Sequence, residues 1–215
     1  MITLLDHKTT LKYLAYLGFK GDTTAALNLI RKKRADDRKS TTGKAVNRSV
    51  LNCYVFGKKG SGKTALLRRH IGLPFREKYI PTEEPYSVVN TVEMNGAEKY
   101  LVLREFGEGF AEELFDDKRK LSQADVFCFV YDSSDQRSFA YIAQLMSEYR
   151  HDISSIPCCI VATKRDLDLA EQKYEVRPEE FCKQLVIPTP VFVSIKDAQR
   201  TIDIYSLLTG LAYDG

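Results

Sequence analysis

Gly57, Gly62, Lys63 and Thr64 fill the pattern G-x-x-x-x-G-K-[ST] inside "FGKKGSGKT", residues 56–64. Two glycines allow a backbone to fold round phosphates with its N–H groups inward, a helix N-terminus favours their charge, and a lysine reaches the outer oxygens. The Thr64 hydroxyl has the chemistry of a magnesium ligand. Lys58, Lys59, Gly60 and Ser61 complete the loop and Ala65 follows it, so Gly57 to Ala65 are all expected at the phosphates. A plain glycine turn between strand and helix leaves Lys63 followed by Thr64 unexplained.

A second constellation suits a base. "TKRD", Thr163–Asp166, follows an apolar run, and a carboxylate there accepts from both N1–H and the exocyclic amine of guanine. Adenine offers no such pair, and a site that would leave a buried carboxylate unpaired discriminates by roughly 10⁴-fold. In "VSIK", residues 193–196, Ser194 can brace the loop while backbone N–H groups of Ile195 and Lys196 face the guanine carbonyl. Thr163, Lys164, Asp166, Leu167, Ser194, Ile195 and Lys196 are therefore the expected base-side residues. An ATPase or kinase is disfavoured, because "TKRD" and "SIK" would then have no task.

These residues need strand ends and helix starts to hold them. From residue 49, short apolar runs alternate with amphipathic segments, the pattern of an α/β fold with a mostly parallel sheet covered by helices. Strands are expected at 50–57, 87–94, 98–106, 125–132, 158–164 and 191–195. Asn95-Gly96 should join the second and third as a hairpin. Helical periodicity marks 62–72, 138–152, 177–186 and 202–213, with Pro178 early in its segment, where its missing N–H costs nothing.

Upstream the pattern differs. "TTLKYLAYLGF" and "GDTTAALNLIRKKR" each space apolar residues as one helix face, with Asp22 placed as an N-cap. Residues 1–35 thus read as a helix-turn-helix that docks on the main domain or is the remnant of an upstream module. Residues 31–48 carry eight Lys/Arg against Asp36 and Asp37, more positive charge than the net +3 of the whole chain. The segment holds few apolar residues, so 36–48 is taken as a basic linker rather than a lipid or RNA surface. Five cysteines, with no C-x-x-C pair and mostly in apolar runs, suggest reduced core residues. No apolar run nears the roughly 20 residues of a membrane span.

"GKKGSGKT", "YIPTEEPY", "TKRD" and "SIK", in that order, resemble the Ras superfamily, and "YIPT" with "TKRD" leans towards its Rho branch. More narrowly, "TLKYLAYLGF", "CYVFGKKGSGKT", "EKYLVLREF", "FVYDSSDQRSF" and "IPCCIVATKRDL" are similar to the C-terminal GTPase domain of Miro, the mitochondrial Rho GTPase family, with the end of its preceding EF-hand and helical module. The resemblance implies a P-loop NTPase (Ras-like) fold at 49–215, with a six-stranded sheet and helices on both faces. It also implies binding of GTP or GDP with Mg²⁺, and Thr82 joining Thr64 at the metal.

For the whole protein, the resemblance implies a calcium-responsive protein on the cytosolic face of the mitochondrial outer membrane that controls mitochondrial transport, distribution and morphology. Its partners would be transport adaptors or motors and a GTPase-activating protein, with membrane attachment through a C-terminal anchor outside this chain and no nucleic acid. The chain is accordingly expected to be a fragment.

One motif departs from the family. Where Ras-like proteins place D-x-x-G and then glutamine, counting back from Gly107 puts Arg104 at the aspartate and Glu108 at the glutamine. An arginine cannot help hold magnesium, and a carboxylate beside the terminal phosphate orients water poorly. Lys63, Thr82, Arg104 and Glu108 are the catalytic candidates, with Arg104 able to act on the phosphate in cis. Slow hydrolysis is expected. The alternative is a nucleotide-stabilised interaction scaffold that binds GTP or GDP without significant hydrolysis. The stretch 108–117, "EGFAEELFDD", is either a mobile partner surface or an exposed amphipathic helix.

Overall fold

The structure, a computed structural model, describes residues 48–82, 84–197 and 203–214. The helix pair expected at 1–35 and the linker expected at 36–48 lie outside the described residues, apart from Arg48. Its guanidinium pairs with Asp125 at 3.0 Å and its carbonyl accepts from Lys99 Nζ.

Six strands form one sheet: β1 (Val50–Phe56), β2 (Tyr86–Met94), β3 (Ala97–Glu105), β4 (Val126–Asp132), β5 (Cys158–Thr163) and β6 (Val191–Phe192), in the order β2-β3-β1-β4-β5-β6. All pairings are parallel except β2 with β3. Asn95 and Gly96 take φ 53° and 71°, the positive values that a two-residue turn needs to match the twist of paired strands. β4 and β5 are buried along their whole length, as expected of strands covered on both faces.

Alternation along the strands divides the core in two. One face gathers Tyr54, Phe56, Phe127, Phe129 and Tyr131. It packs on α2 (Ala111–Asp116), α4 (Ser138–Glu148) and α6 (Pro178–Leu185) through Phe115, Phe139, Ile142 and Phe181. The other face gathers Leu51, Cys53, Val55, Leu101, Leu103, Cys128 and Cys159 against Leu66 and Leu67 of α1 (Lys63–His70) and Leu208 of α7 (Ile204–Asp214). The first is built from rings: Phe56 lies 5.2–5.6 Å from Phe106, Phe115, Phe127 and Phe129. Such pairs add about 0.5–1.5 kcal/mol each beyond area burial. All five cysteines are buried and free.

Two elements differ from the sequence expectation, and the stretch left open at 108–117 contains a short amphipathic helix. β6 stops at Phe192, because the Val193 carbonyl turns to accept from Arg165 N in the loop after β5. The single helix expected at 138–152 breaks at Tyr149, whose ring stacks on Phe115 at 4.5 Å, and resumes as α5 (Arg150–Ile153). Residues 108–121 form a 3-10 turn (Glu108–Phe110), α2 and α3 (Lys118–Leu121), the last capped by Asp117, whose carboxylate accepts from Arg119 N and Lys120 N. Ala111, Leu114 and Phe115 are buried, so α2 is a core element with one exposed acidic face.

Candidate functional site: a cleft over the phosphate loop

β1 delivers the chain to Gly57 at the C-terminal end of the parallel strands, where open α/β sheets place ligands. Gly57 has φ 154°, and a Cβ there would stand 2.1 Å from the Val130 carbonyl oxygen of β4, so no side chain fits. Gly62, with φ 94°, starts α1 without a side-chain cap, leaving the first-turn N–H groups of that helix for a ligand. Lys63 Nζ donates to the Gly57 and Lys58 carbonyls at 2.7 and 3.0 Å, spanning the loop from inside. Burial pulls the Lys63 ammonium pKa down, and the nearby Glu105 and Glu108 carboxylates push it back.

At the end of β3 the structure corrects the motif count. Arg104 does not face the loop: its Nε donates to Ser87 Oγ, the residue opposite it on β2, at 3.1 Å. Glu105 faces the loop instead, on the same side of β3 as Leu101 and Leu103. Its Oε1 accepts from Thr64 Oγ1 and Thr82 Oγ1, both at 3.0 Å, and the two hydroxyls stand 3.1 Å apart. Glu105 is 2% exposed, and its Oε2 is buried with no hydrogen-bond partner among the described residues. Burial raises its pKa, against the opposing effects of Lys63 and the two threonines. One orphaned carboxylate oxygen beside two hydroxyls is a hard oxygen donor set that fits Mg²⁺.

Glu108 also reaches the loop, with Oε2 accepting from the backbone N of Lys59 at 3.1 Å. Its own carbonyl accepts from Tyr141 Oη on α4 at 3.1 Å.

In the loop after β5, Asp166 Oδ1 accepts from Ser194 Oγ at 2.7 Å, and Ser194 Oγ accepts from Asp197 N. Thr163, fully buried, donates through Oγ1 to the carbonyls of Ser61 and Tyr131, tying this loop to the phosphate loop. Lys164 takes φ 59°, and its ammonium pairs with Asp132 at the end of β4. Leu167 is half exposed and its N–H closes a turn onto Lys164 O.

A cleft of about 640 Å³ joins the two ends. Of the expected residues its wall contains Lys59, Gly60, Gly62, Lys63, Thr64, Ala65, Thr82, Glu108, Lys164, Ile195 and Lys196, whereas Gly57, Lys58, Ser61, Arg104, Thr163, Asp166, Leu167 and Ser194 are absent from it. Glu105, Phe75, Tyr79, Arg68 and Arg69 also line it and were not anticipated. The alternation Leu101, Leu103, Glu105 carried the signal for the first. Asp132, an acid closing a wholly apolar strand, was the missed partner of Lys164.

A sequence profile of the Ras family matches residues 52–204, and one described as EF hand associated matches residues 1–41. Curated relatives called Mitochondrial Rho GTPase 1 include proteins from Cryptococcus neoformans var. neoformans, Schizosaccharomyces pombe and Saccharomyces cerevisiae. The first is 45% identical over 206 residues, covering 90% of this chain and 29% of the relative. The second is 44% identical over 198 residues, covering 90% and 30%. The third is 36% identical over 217 residues, covering 100% and 32%. The chain thus spans about a third of the length of the curated relatives it matches.

Proposed function

The chain belongs to the Ras family, and on that premise we propose that residues 49–215 are a guanine-nucleotide-binding domain that hydrolyses GTP slowly. In this proposal residues 1–35 end an upstream EF-hand module and 36–48 link the two. The observation that carries it is the convergence of Lys63, Thr64, Thr82 and Glu105 at one end of a single cleft whose other end holds Lys164, Ile195 and Lys196. In the same loop as Lys164, Asp166 accepts from Ser194 Oγ.

Each group has a task. The loop N–H groups and the Lys63 ammonium hold the phosphate chain, with the Glu105 and Glu108 carboxylates opposing the lowering of the lysine pKa by burial. Thr64, Thr82 and Glu105 would hold Mg²⁺, which when bound neutralises charge on the outer phosphates. Asp166 accepts from guanine, and Ser194 keeps it aimed. Phe75, 45% exposed on the cleft wall, covers the nucleotide from the solvent side. Asp132 fixes the Lys164 stem beside the base. Glu108, a carboxylate where a neutral amide would orient water best, keeps hydrolysis slow; an arginine supplied by an activating partner would add roughly 10³–10⁵ in rate.

The mitochondrial name of the relatives, with the sequence resemblance, extends the proposal to the full-length protein. It would act on the cytosolic face of the mitochondrial outer membrane, in transport, distribution and morphology of the organelle, through adaptors or motors. Among the described residues no helix is long and apolar enough to cross a membrane.

A second reading, a scaffold that binds nucleotide without turnover, is favoured by one observation: Glu108 is engaged by the Lys59 amide rather than free for water. A single-turnover assay separates the two. Protein loaded with GTP and magnesium should yield GDP over minutes to hours while Lys63→Ala yields none. GTP persisting intact on the unmutated protein would establish the scaffold.

A further inference from the structure

The contact between Glu108 and the phosphate loop has a consequence for which nucleotide the cleft prefers. Backbone N–H groups of such a loop are the donors that phosphate oxygens use. One of them, Lys59 N, already has an anionic acceptor from the protein itself, Glu108 Oε2 at 3.1 Å. The carboxylate is close enough to the loop to act on the Lys63 ammonium, as Glu105 does. It is also held from behind. The Glu108 carbonyl accepts from Tyr141 Oη, and the residue opens a 3-10 turn closed by Phe110 N donating to the Gly107 carbonyl at 3.0 Å. Tyr141 sits on α4, an element fixed in the core through Phe139 and Ile142.

We infer that Glu108 is a specificity-determining residue that makes this cleft favour nucleoside diphosphate over triphosphate, by competing with the terminal phosphate for the Lys59 amide. The inference rests on the reading of the cleft as a guanine-nucleotide site. Two anions cannot share one N–H donor without repulsion, and a dianionic terminal phosphate near a fixed carboxylate is disfavoured. A diphosphate, one group shorter, does not press on that carboxylate. Entry of a triphosphate therefore breaks the Lys59–Glu108 bond.

Equilibrium affinities for GDP and for a non-hydrolysable GTP analogue, at fixed magnesium, test this with Glu108→Gln and Glu108→Ala. Glu108 is exposed, so both variants should fold, and thermal melting checks that they do. Both should tighten the triphosphate analogue about tenfold, or about 1.4 kcal/mol, with GDP moving less than about twofold. Tyr141→Phe, which frees the Glu108 carbonyl, should shift the same ratio in the same direction by less. Unchanged ratios in the glutamate variants, with GDP still bound, would overturn the role of Glu108 alone. Failure of the unmutated protein to bind either nucleotide would overturn the guanine-nucleotide reading, and the selectivity with it.

Discussion

The phosphate loop, residues 57–64, and the end of β3, residues 104–108, meet across the same cleft but are specified in different ways. The loop's residue types act where they stand in the sequence: glycines at positive φ, a lysine folded back onto Gly57 O, a threonine at the helix start. At the end of β3 the same counting fails. Which side chain faces the loop is decided by the pairing of Val55 with Glu105 and of Ser87 with Arg104, and a strand turns alternate residues to opposite faces. A one-residue difference exchanges a cation for a carboxylate. Loop motifs can be read by spacing alone, whereas strand-end chemistry requires the register.

The strongest way to break this contrast is at Gly57. Gly57→Ala would press a methyl group against the Val130 carbonyl at 2.1 Å. It should cost about 3 kcal/mol in a denaturant melt and abolish detectable nucleotide binding. Near-normal stability would mean the loop is less dependent on β4 than the structure shows.

The contrast at β3 is sharpened by a matched pair. Glu105→Gln should make nucleotide retention require roughly 10- to 100-fold more magnesium, measured as release rate against metal concentration. Arg104→Ala should leave that curve within about twofold, because its guanidinium bonds Ser87 rather than the cleft. The reverse pattern would restore Arg104 to the site.

A smaller effect is expected where α1 meets β3. His70 Nε2 lies 3.0 Å from the Leu101 carbonyl, so Nε2 carries a hydrogen and donates there, and the ring is packed 4.6 Å from Tyr205. Burial lowers its pKa below the ordinary 6.5, against the Leu101 carbonyl and Asp203, which favour the cation. The unfolded chain therefore takes up the proton first, and stability present above about pH 6.5 is lost as pH falls through it. The urea midpoint should decline between about pH 7.5 and 5.5 and do so less steeply in His70→Gln. Equal slopes would remove His70 from the account.

The smallest test lies far from both regions. Val186 ends α6 at φ 58° and is 90% exposed, a β-branched residue where glycine is at ease. Val186→Gly should gain about 1 kcal/mol with nucleotide affinity unchanged, whereas a loss of stability would assign Val186 a contact role.

The same division explains what was legible at large. Strand positions and the Asn95-Gly96 hairpin followed from period-two patterning and turn chemistry, and the buried runs of β4 and β5 from composition. Glu105 was hidden because its neighbour Arg104 occupies the motif position. Asp132 was hidden because its partner Lys164 lies 32 residues away. The break at Tyr149 depends on Phe115, a ring contributed by another element.

By itself the sequence determined the α/β order and the glycine-rich turn from β1 into α1, because each rests on local backbone freedom or a short run of residues. Only the tertiary structure decided that Glu105 joins Thr64 and Thr82, that Arg104 turns away, and that Glu108 reaches Lys59. These are contacts between segments 17 to 49 residues apart, and their partners are chosen by strand register and packing rather than by anything encoded next to them.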